Sequence, residues 1–276
     1  MINPQVPTAD PIYARTGDFA VFNQLGLKLA FPDDVSKEDY YAWLDTMHEK
    51  VGTMVKGAEI AEKSYARKEP RLNTGVYYDT DDYRLLRAGA VLRTTCNIKT
   101  HAFCAFKLSE DEHNVRRDHR YSFDGEDKLT IQQAPTSPEA QAAVKRLLAR
   151  TDIEHPGIHL REKFGITGDD LSPAVCLRQY RHPFFVWIDK KDALRCSMDR
   201  VRVHSMRRPD GEEHEVPFSE IELPVYPHLD EEMANDPRLI QLIEALAESL
   251  RSWFGIEPIS ESKYQRAAQV LGLSTS

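Results

Sequence analysis

Six stretches of the chain alternate between apolar and polar residues, and most of the polar faces carry charge. Leu25, Leu27 and Leu29 alternate with Gln24, Gly26 and Lys28; Leu92 and Thr94 with Val91 and Arg93; Cys104, Phe106 and Leu108 with Ala105 and Lys107. Val115, Tyr121 and Phe123 stand opposite Arg116, Asp118 and Arg120. Leu194, Cys196 and Met198 oppose Arg195 and Asp199, and Ile221, Leu223 and Val225 oppose Glu220 and Glu222. Successive strand residues point to opposite faces, so each stretch reads as a strand with one apolar and one charged face. One such strand in an ordinary sheet would mean only a face turned to water. Six together, Lys/Arg dominating four and paired Glu on the last, predict a barrel lined with charge. Its interior would suit a polyanion and a divalent metal.

A net charge of −8 and a pI of about 5.7 argue against general electrostatic capture of nucleic acid or an acidic membrane. They leave room for a local basic interior, because basic residues outnumber acidic ones between 84 and 120 while 210–248 is strongly acidic. With 41% hydrophobic residues the chain can bury a sizeable core. Cys96, Cys104, Cys176 and Cys196 form no CxxC pair and no zinc spacing, and read as buried reduced thiols. Met1-Ile2-Asn3-Pro4 leads into polar, Pro-rich sequence and gives no leader peptide; no apolar run approaches the roughly 18–20 residues that span a bilayer. The expectation is a cytoplasmic protein with no membrane and no nucleic-acid partner.

Residues 1–18, with Pro4, Pro7 and Pro11, read as an irregular arm, and 19–276 as a single α+β domain around a closed antiparallel eight-stranded barrel with flanking helices. A first strand is expected at about 19–31. Ser36, with Asp39 three residues on, caps a helix carrying Tyr40, Trp43, Leu44 and Met47, and a second helical stretch would reach Ala66. Strands follow from Gly75 to Phe123, then a helix after Pro138 with Ala140, Ala143, Val144, Leu147 and Leu148 on one stripe. Further strands are expected at 158–165, 174–188, 193–205 and 216–226, and a long helix from Asp236 to Trp253, stopped by Gly255. A short segment around Lys263 closes the chain.

Four stretches resemble the triphosphate tunnel metalloenzymes, the superfamily of CYTH-domain phosphatases and VTC-type polyphosphate polymerases. Tyr77-Tyr78-Asp79-Thr80 through Leu85-Leu86-Arg87-Ala88-Gly89-Ala90-Val91-Leu92-Arg93 is similar to a CYTH strand pair, YYDT…LRxxGxxLRxR. Leu194-Arg195-Cys196-Ser197-Met198-Asp199 resembles the RxTxD strand of the VTC branch, and Arg181-His182-Pro183-Phe184 its RxxF. Glu220-Ile221-Glu222-Leu223 looks like the late EIEL metal-binding strand, and Ser262-Lys263-Tyr264 like the closing SKY. Order and spacing agree over about residues 20–268.

The resemblance implies a tunnel whose Lys and Arg hold a triphosphate or polyphosphate and whose carboxylates hold Mg²⁺ or Mn²⁺. Carried over by position, Lys28, Arg93, Lys107, Arg116, Arg181, Arg195 and Lys263 would contact phosphates; Glu220, Glu222 and Asp118 would hold metal; Lys28, Arg195 and Glu222 would be catalytic. Elementary chemistry agrees, since phosphoryl transfer needs charge neutralised on the phosphate oxygens and a leaving group held in line, and hard cations take carboxylate oxygens. The chain departs from the hydrolase pattern on its first strand, where E-x-E-x-K reads Gln24-Leu25-Gly26-Leu27-Lys28; Thr95 and Arg120 stand where a further Arg and a further acid belong. Metal-dependent hydrolysis of a triphosphate is the leading expectation. Polyphosphate synthesis from a nucleoside triphosphate and a weakened module that only binds polyphosphate or a phosphorylated ligand are the alternatives. Plainer readings stand beside these: Glu220 and Glu222 as a solvated strand face, Arg195 and Asp199 as a cross-strand ion pair, Arg161 and Lys163 as an exposed strand, Tyr77 and Tyr78 as packing residues. Arg178 and Arg181 cannot both face inward on a regular strand; the RxxF match favours Arg181.

Overall fold

Period-two alternation becomes a sheet whose register can be followed residue by residue. The computed structural model describes residues 19–24, 26–64, 69–109, 116–209 and 211–273; the expected N-terminal arm, Leu25 and Val115 lie outside them. The strands are β1 (Phe19–Gln24), β2 (Gly26–Phe31), β3 (Ala58–Ile60), β4 (Arg71–Asp79), β5 (Val91–Cys96), β6 (Ala102–Ser109), β7 (Arg116–Ser122), β8 (Ser172–Ile188), β9 (Lys191–Ser205) and β10 (Val216–Pro224). The helices are α1 (Lys37–Met54), α2 (Arg84–Arg87), α3 (Gly125–Gln133), α4 (Pro138–Ala149), α5 (Pro156–Phe164), α6 (Glu231–Ala234), α7 (Arg238–Phe254) and α8 (Lys263–Val270). The architecture is mixed helix and antiparallel sheet. Among the described residues no helix is long and apolar enough to cross a membrane, and all four cysteines are buried and free.

The strands pair in the order β1-β7-β6-β5-β4-β8-β9-β10-β2, with β3 added beside β8. This corrects the expected closed eight-stranded barrel. Nine strands lie on the path, and among the described residues β1 and β2, its two ends, are not hydrogen-bonded to each other. The reason is that the single first strand expected at 19–31 is shared between two edges: β1 pairs with β7, and β2 with β10. Two Cα steps of 3.8 Å hold Gln24 and Gly26 within about 7.6 Å, so the sheet has to bend round until its ends meet. The chain, not a ladder, joins them. At the junction Gly26 faces Pro224, and a Cβ on it would stand 2.5 Å from the Pro224 Cα and 2.6 Å from the Leu223 carbonyl oxygen. Only a residue without a side chain lets β2 approach β10 there.

Alternation sends the two sides of the sheet to different fates. On the outer side, Leu29, Phe184, Val186, Leu194, Cys196, Met198, Ile221 and Leu223 pack against Tyr40, Trp43 and Leu44 of α1 and Leu242, Leu246 and Leu250 of α7. Further round, Val76, Leu92, Cys104 and Phe106 meet Ile131 of α3, Val144 and Leu147 of α4 and Leu160 of α5. On the inner side, Tyr77, Val91, Val175, Leu177, Val201, Val203 and Phe218 enclose Tyr264, Ala267, Ala268 and Leu271 of α8. One end of the interior is therefore apolar and filled by the last helix; the charged residues occupy the remainder.

The caps explain where helices begin and where the sequence reading went astray. Ser36 and Asp39 form the expected capping box on α1, but α1 ends at Met54, and β3 and a short 3₁₀ turn replace the expected continuation towards Ala66, part of which lies outside the described residues. The stretch 158–165 is a helix, not a strand. Pro156 starts α5, the His155 ring accepts from the Gly157 N–H, and Gly165 ends it at φ +64; Leu160 and Phe164 satisfy i, i+4 spacing as well as alternation. Arg161 and Lys163 thus lie in the last turn of a helix on the outer side.

Replacing Gly26 by Ala should cost about 1–3 kcal/mol, as overpacking against backbone does. A melting curve indistinguishable from that of the unmodified chain would remove the close approach as the reason for this glycine.

Candidate functional site

Inner-face positions fall into register across the sheet. Glu222 faces Lys28 and Glu220 faces Asp199; Asp199 faces Arg181, Tyr77 faces Arg93, and Lys107 faces Asp118. The side chains gather into two charged centres. Arg93 lies within electrostatic reach of Asp118 in one and Glu222 in the other, so both address the same interior.

The first centre is built on β5, β6 and β7. The Asp118 carboxylate, fully buried, takes the Lys107 ammonium at 3.0 Å and an Arg120 nitrogen at 2.6 Å. Burial pushes this carboxyl up, but Lys107, Arg120 and Arg93 outweigh it and hold it down to about 2. Burial pulls the Lys107 amine down to about 7, Asp118 opposing and Arg93 and Arg120 adding to the fall. One carboxylate shared by several cations leaves lysine, which can shed its proton, as the titrating member. Arg93 donates to the Tyr77 hydroxyl at 3.1 Å, while its buried Nε has no hydrogen-bond partner among the described residues.

The second centre joins β8, β9, β10 and α8. Asp199, Glu220 and Glu222 present carboxylate oxygens within 4.8 Å of one another. Arg181 donates to Asp199 through Nε and Nη2, both at 2.9 Å, and to Glu222 at 2.7 Å. Lys263 sits 3.0 Å from Asp199 and 2.7 Å from Glu222 and also bonds Glu220, which Arg266 meets at 3.1 Å. Burial would raise the Glu222 carboxyl, yet Lys263 and then Arg181 hold it well below the usual carboxylate range. Lys28 adds to that field, and its ammonium bonds the Glu261 carbonyl.

Arg195 lies two positions from Ser197 and four from Asp199 on β9, hence on the same face. Partial burial, then the fields of Arg181 and Arg120, lower its pKa. Its side chain is exposed and makes no ion pair among the described residues, so it is a cation available to an anion. Arg178 points away, towards Glu215 at 3.4 Å; Arg181 is the inward residue of the two. The side chain of Arg116 lies outside the described set. Asp118, expected beside the glutamates, stands instead among cations, with Lys107 and Arg120 on its carboxylate.

The roles of three residues escaped the sequence reading. Asp199 completes the carboxylate cluster; the reading paired it with Arg195, whereas its register partner is Arg181. Arg266 follows Lys263 by one helical turn, a spacing that could have suggested it. Tyr77 is more than packing: it stacks on Tyr264 at 5.1 Å between centroids and holds Arg93. Tyr264 in turn bonds the buried Asp79 at 2.9 Å, which seats α8 and so places Lys263.

Three oxygen donors this close form a set whose chemistry suits a hard divalent cation.

No family model and no curated protein matches the sequence. Solved structures do. A protein of Bacillus halodurans described as a candidate adenylate cyclase is 16% identical, with 89% of this chain and 97% of that one covered at a TM-score of 0.48. A candidate adenylyl cyclase from Hippeastrum, described as having a dominant triphosphatase activity, is 14% identical over 92% and 99% of the two chains, TM-score 0.45. The Mimivirus capping enzyme triphosphatase is 12% identical over 83% and 88%, TM-score 0.28.

With burial drawing the Lys107 amine down to about 7, any affinity of this interior for a polyanion such as inorganic tripolyphosphate should fall as pH rises from 6 towards 8.5. Lys107→Arg keeps its charge throughout and should flatten that profile in calorimetric titrations, the ligand's own ionisation being common to both proteins. Identical slopes would take Lys107 out of the anion site.

Proposed function

We propose that this chain is a divergent triphosphate tunnel metalloenzyme that hydrolyses a phosphoanhydride of inorganic or organic triphosphate. The observation that carries the reading is the meeting, on one face of one sheet, of a carboxylate triad with cations drawn from β5 to β9 and α8. Arg93, Lys107, Arg181 and Arg195, with Lys28 and Lys263, would neutralise the phosphate oxygens; Asp199, Glu220 and Glu222 would hold Mg²⁺ or Mn²⁺. The metal, when bound, supplies Lewis-acid charge at the phosphoryl oxygens. The protein's own part is orientation: Arg181 is fixed by a two-pronged bond to Asp199 and Arg93 by Tyr77, so little reorganisation is needed when charge builds up on the phosphate. Arg195, exposed and within the field of both centres, is placed to meet the end of a phosphate chain that enters.

One observation favours a second reading, a module that binds triphosphate with little turnover. Gly26 stands where the hydrolase pattern keeps a glutamate, and the Pro224 backbone excludes any side chain there. Gln24→Glu alone can be tested; Glu at 26 cannot be accommodated.

The deciding measurement is a panel of tripolyphosphate, ATP, thiamine triphosphate and long-chain polyphosphate, each with Mg²⁺ and with Mn²⁺. Metal-dependent phosphate release supports the hydrolase, tight binding without release supports the binding module, and chain extension would mean a polymerase. None of the three would end the triphosphate reading. Within the hydrolase, Arg195→Met should lower kcat/KM by roughly 10²-fold, the scale set by loss of one charge-stabilising donor. Glu222→Gln should abolish metal-dependent turnover and also lower the melting temperature at pH 7. Its carboxyl is held below its unfolded value, so the charge contributes stability above about pH 4.3 that is lost as pH falls further. The gap between the two melting temperatures should therefore close in acid; a Gln variant melting higher at neutral pH would contradict the role of Lys263 and Arg181 as its partners.

A further inference from the structure

The three carboxylates of the second centre are matched by three cations of the protein itself. Arg181 serves Asp199 and Glu222, Arg266 serves Glu220, and Lys263 alone touches all three. Its ammonium therefore stands at the point towards which the carboxylate oxygens converge, the point a divalent cation using all three would need. We propose that Lys263 is a built-in counter-ion of this cluster, so that a divalent cation joins Asp199, Glu220 and Glu222 only when a phosphate chain draws the Lys263 ammonium aside. The inference rests on the reading of the site as one for triphosphate and metal, and adds the order in which the two are admitted.

The surroundings allow the exchange. Lys263 is the first residue of α8, and its backbone is pinned: Ser262 caps the helix with Gln265, and the neighbouring Tyr264 is tied to Asp79 and stacked on Tyr77. Its four-carbon stem can still swing, so the charge can move while the helix stays. Magnesium and manganese bring two positive charges into a centre already balanced, with Arg181, Arg266 and the field of Lys28 close by. Alone they meet repulsion and must shed water for ligands already engaged. A triphosphate changes both sides of that competition, giving the ammonium new oxygen partners and giving the metal further oxygen ligands. Coupling of this kind is reciprocal: the metal must tighten triphosphate binding by the factor by which triphosphate tightens the metal.

The test counts Mn²⁺ retained with the protein after ultrafiltration, with and without tripolyphosphate, for the unmodified chain, Lys263→Met and Lys263→Arg. The unmodified chain should retain Mn²⁺ roughly 10-fold more tightly with tripolyphosphate than without, within the usual range of such couplings. Lys263→Met should gain at least that much affinity for Mn²⁺ alone, and its melting temperature should rise with Mn²⁺ where that of the unmodified chain does not. Lys263→Arg, still cationic, should remain as weak as the unmodified chain. Equal retention by the unmodified chain with and without tripolyphosphate, at a concentration where calorimetry shows tripolyphosphate bound, overturns the proposal, and needs no variant to fold. So does a folded Lys263→Met with no gain. If tripolyphosphate is not bound at all while Lys263→Met gains Mn²⁺, the triphosphate reading falls and the counter-ion role of Lys263 stands.

Discussion

A carboxylate withdrawn from water stays ionised only if cations follow it in. The side chains of Asp118, Asp199 and Glu220 are fully buried, and each is met by two cations or more. Those cations come from elements far apart in the chain: Lys107 from β6, Arg181 from β8, Lys263 and Arg266 from α8. Register, the seat of the last helix and the charge of the interior are thus one condition. Slipping β6 by one residue would turn Lys107 towards the apolar core and strip Asp118 of a partner. Charged residues in this fold do not merely decorate a face; they fix which strand position faces which.

α8 belongs to both halves of the interior. Tyr264, Ala267, Ala268 and Leu271 complete the apolar end, while Lys263 and Arg266 reach the carboxylates. Asp79 secures the arrangement by accepting from the Tyr264 hydroxyl and from the N–H groups of Leu85 and Leu86, so β4, the turn into α2 and α8 meet on one carboxylate. A helix held this firmly gives the two cations fixed origins, and leaves only their side chains free to respond to a ligand.

Much of this was legible in the sequence because alternation survives the loss of every other detail. It gave the inward phase of Lys28, Arg93, Lys107, Arg195, Glu220 and Glu222, and the partition of β8 to β10. It could not give neighbours. Asp199 was visible as an acid on the right face, but only the pairing of β8 with β9 names Arg181 as its partner. Asp118 shares the phase of the glutamates, yet its carboxylate is taken by Lys107 and Arg120. Leu160 and Phe164 suit either a strand or a helix, and the signals of Pro156 and Gly165 decide for the helix. Nothing in Lys263-Tyr264-Gln265-Arg266 tells that this short helix packs on the inner side, since the shape of the space it fills is made by strands elsewhere.

The division of the first strand between two edges bears on how the chain comes to be folded at all. β2 cannot find its partner until Pro224 has been made, which at ribosomal speeds comes about 10–40 s after Gly26. For that interval the segment that joins both ends of the sheet has an unpaired edge, and edges of that kind recruit other strands. Contacts of such separation also make for slow closure even in a finished chain. The strand made well before its partner is thus among the last to be locked, and the interior acquires its boundary only when the fold is otherwise complete.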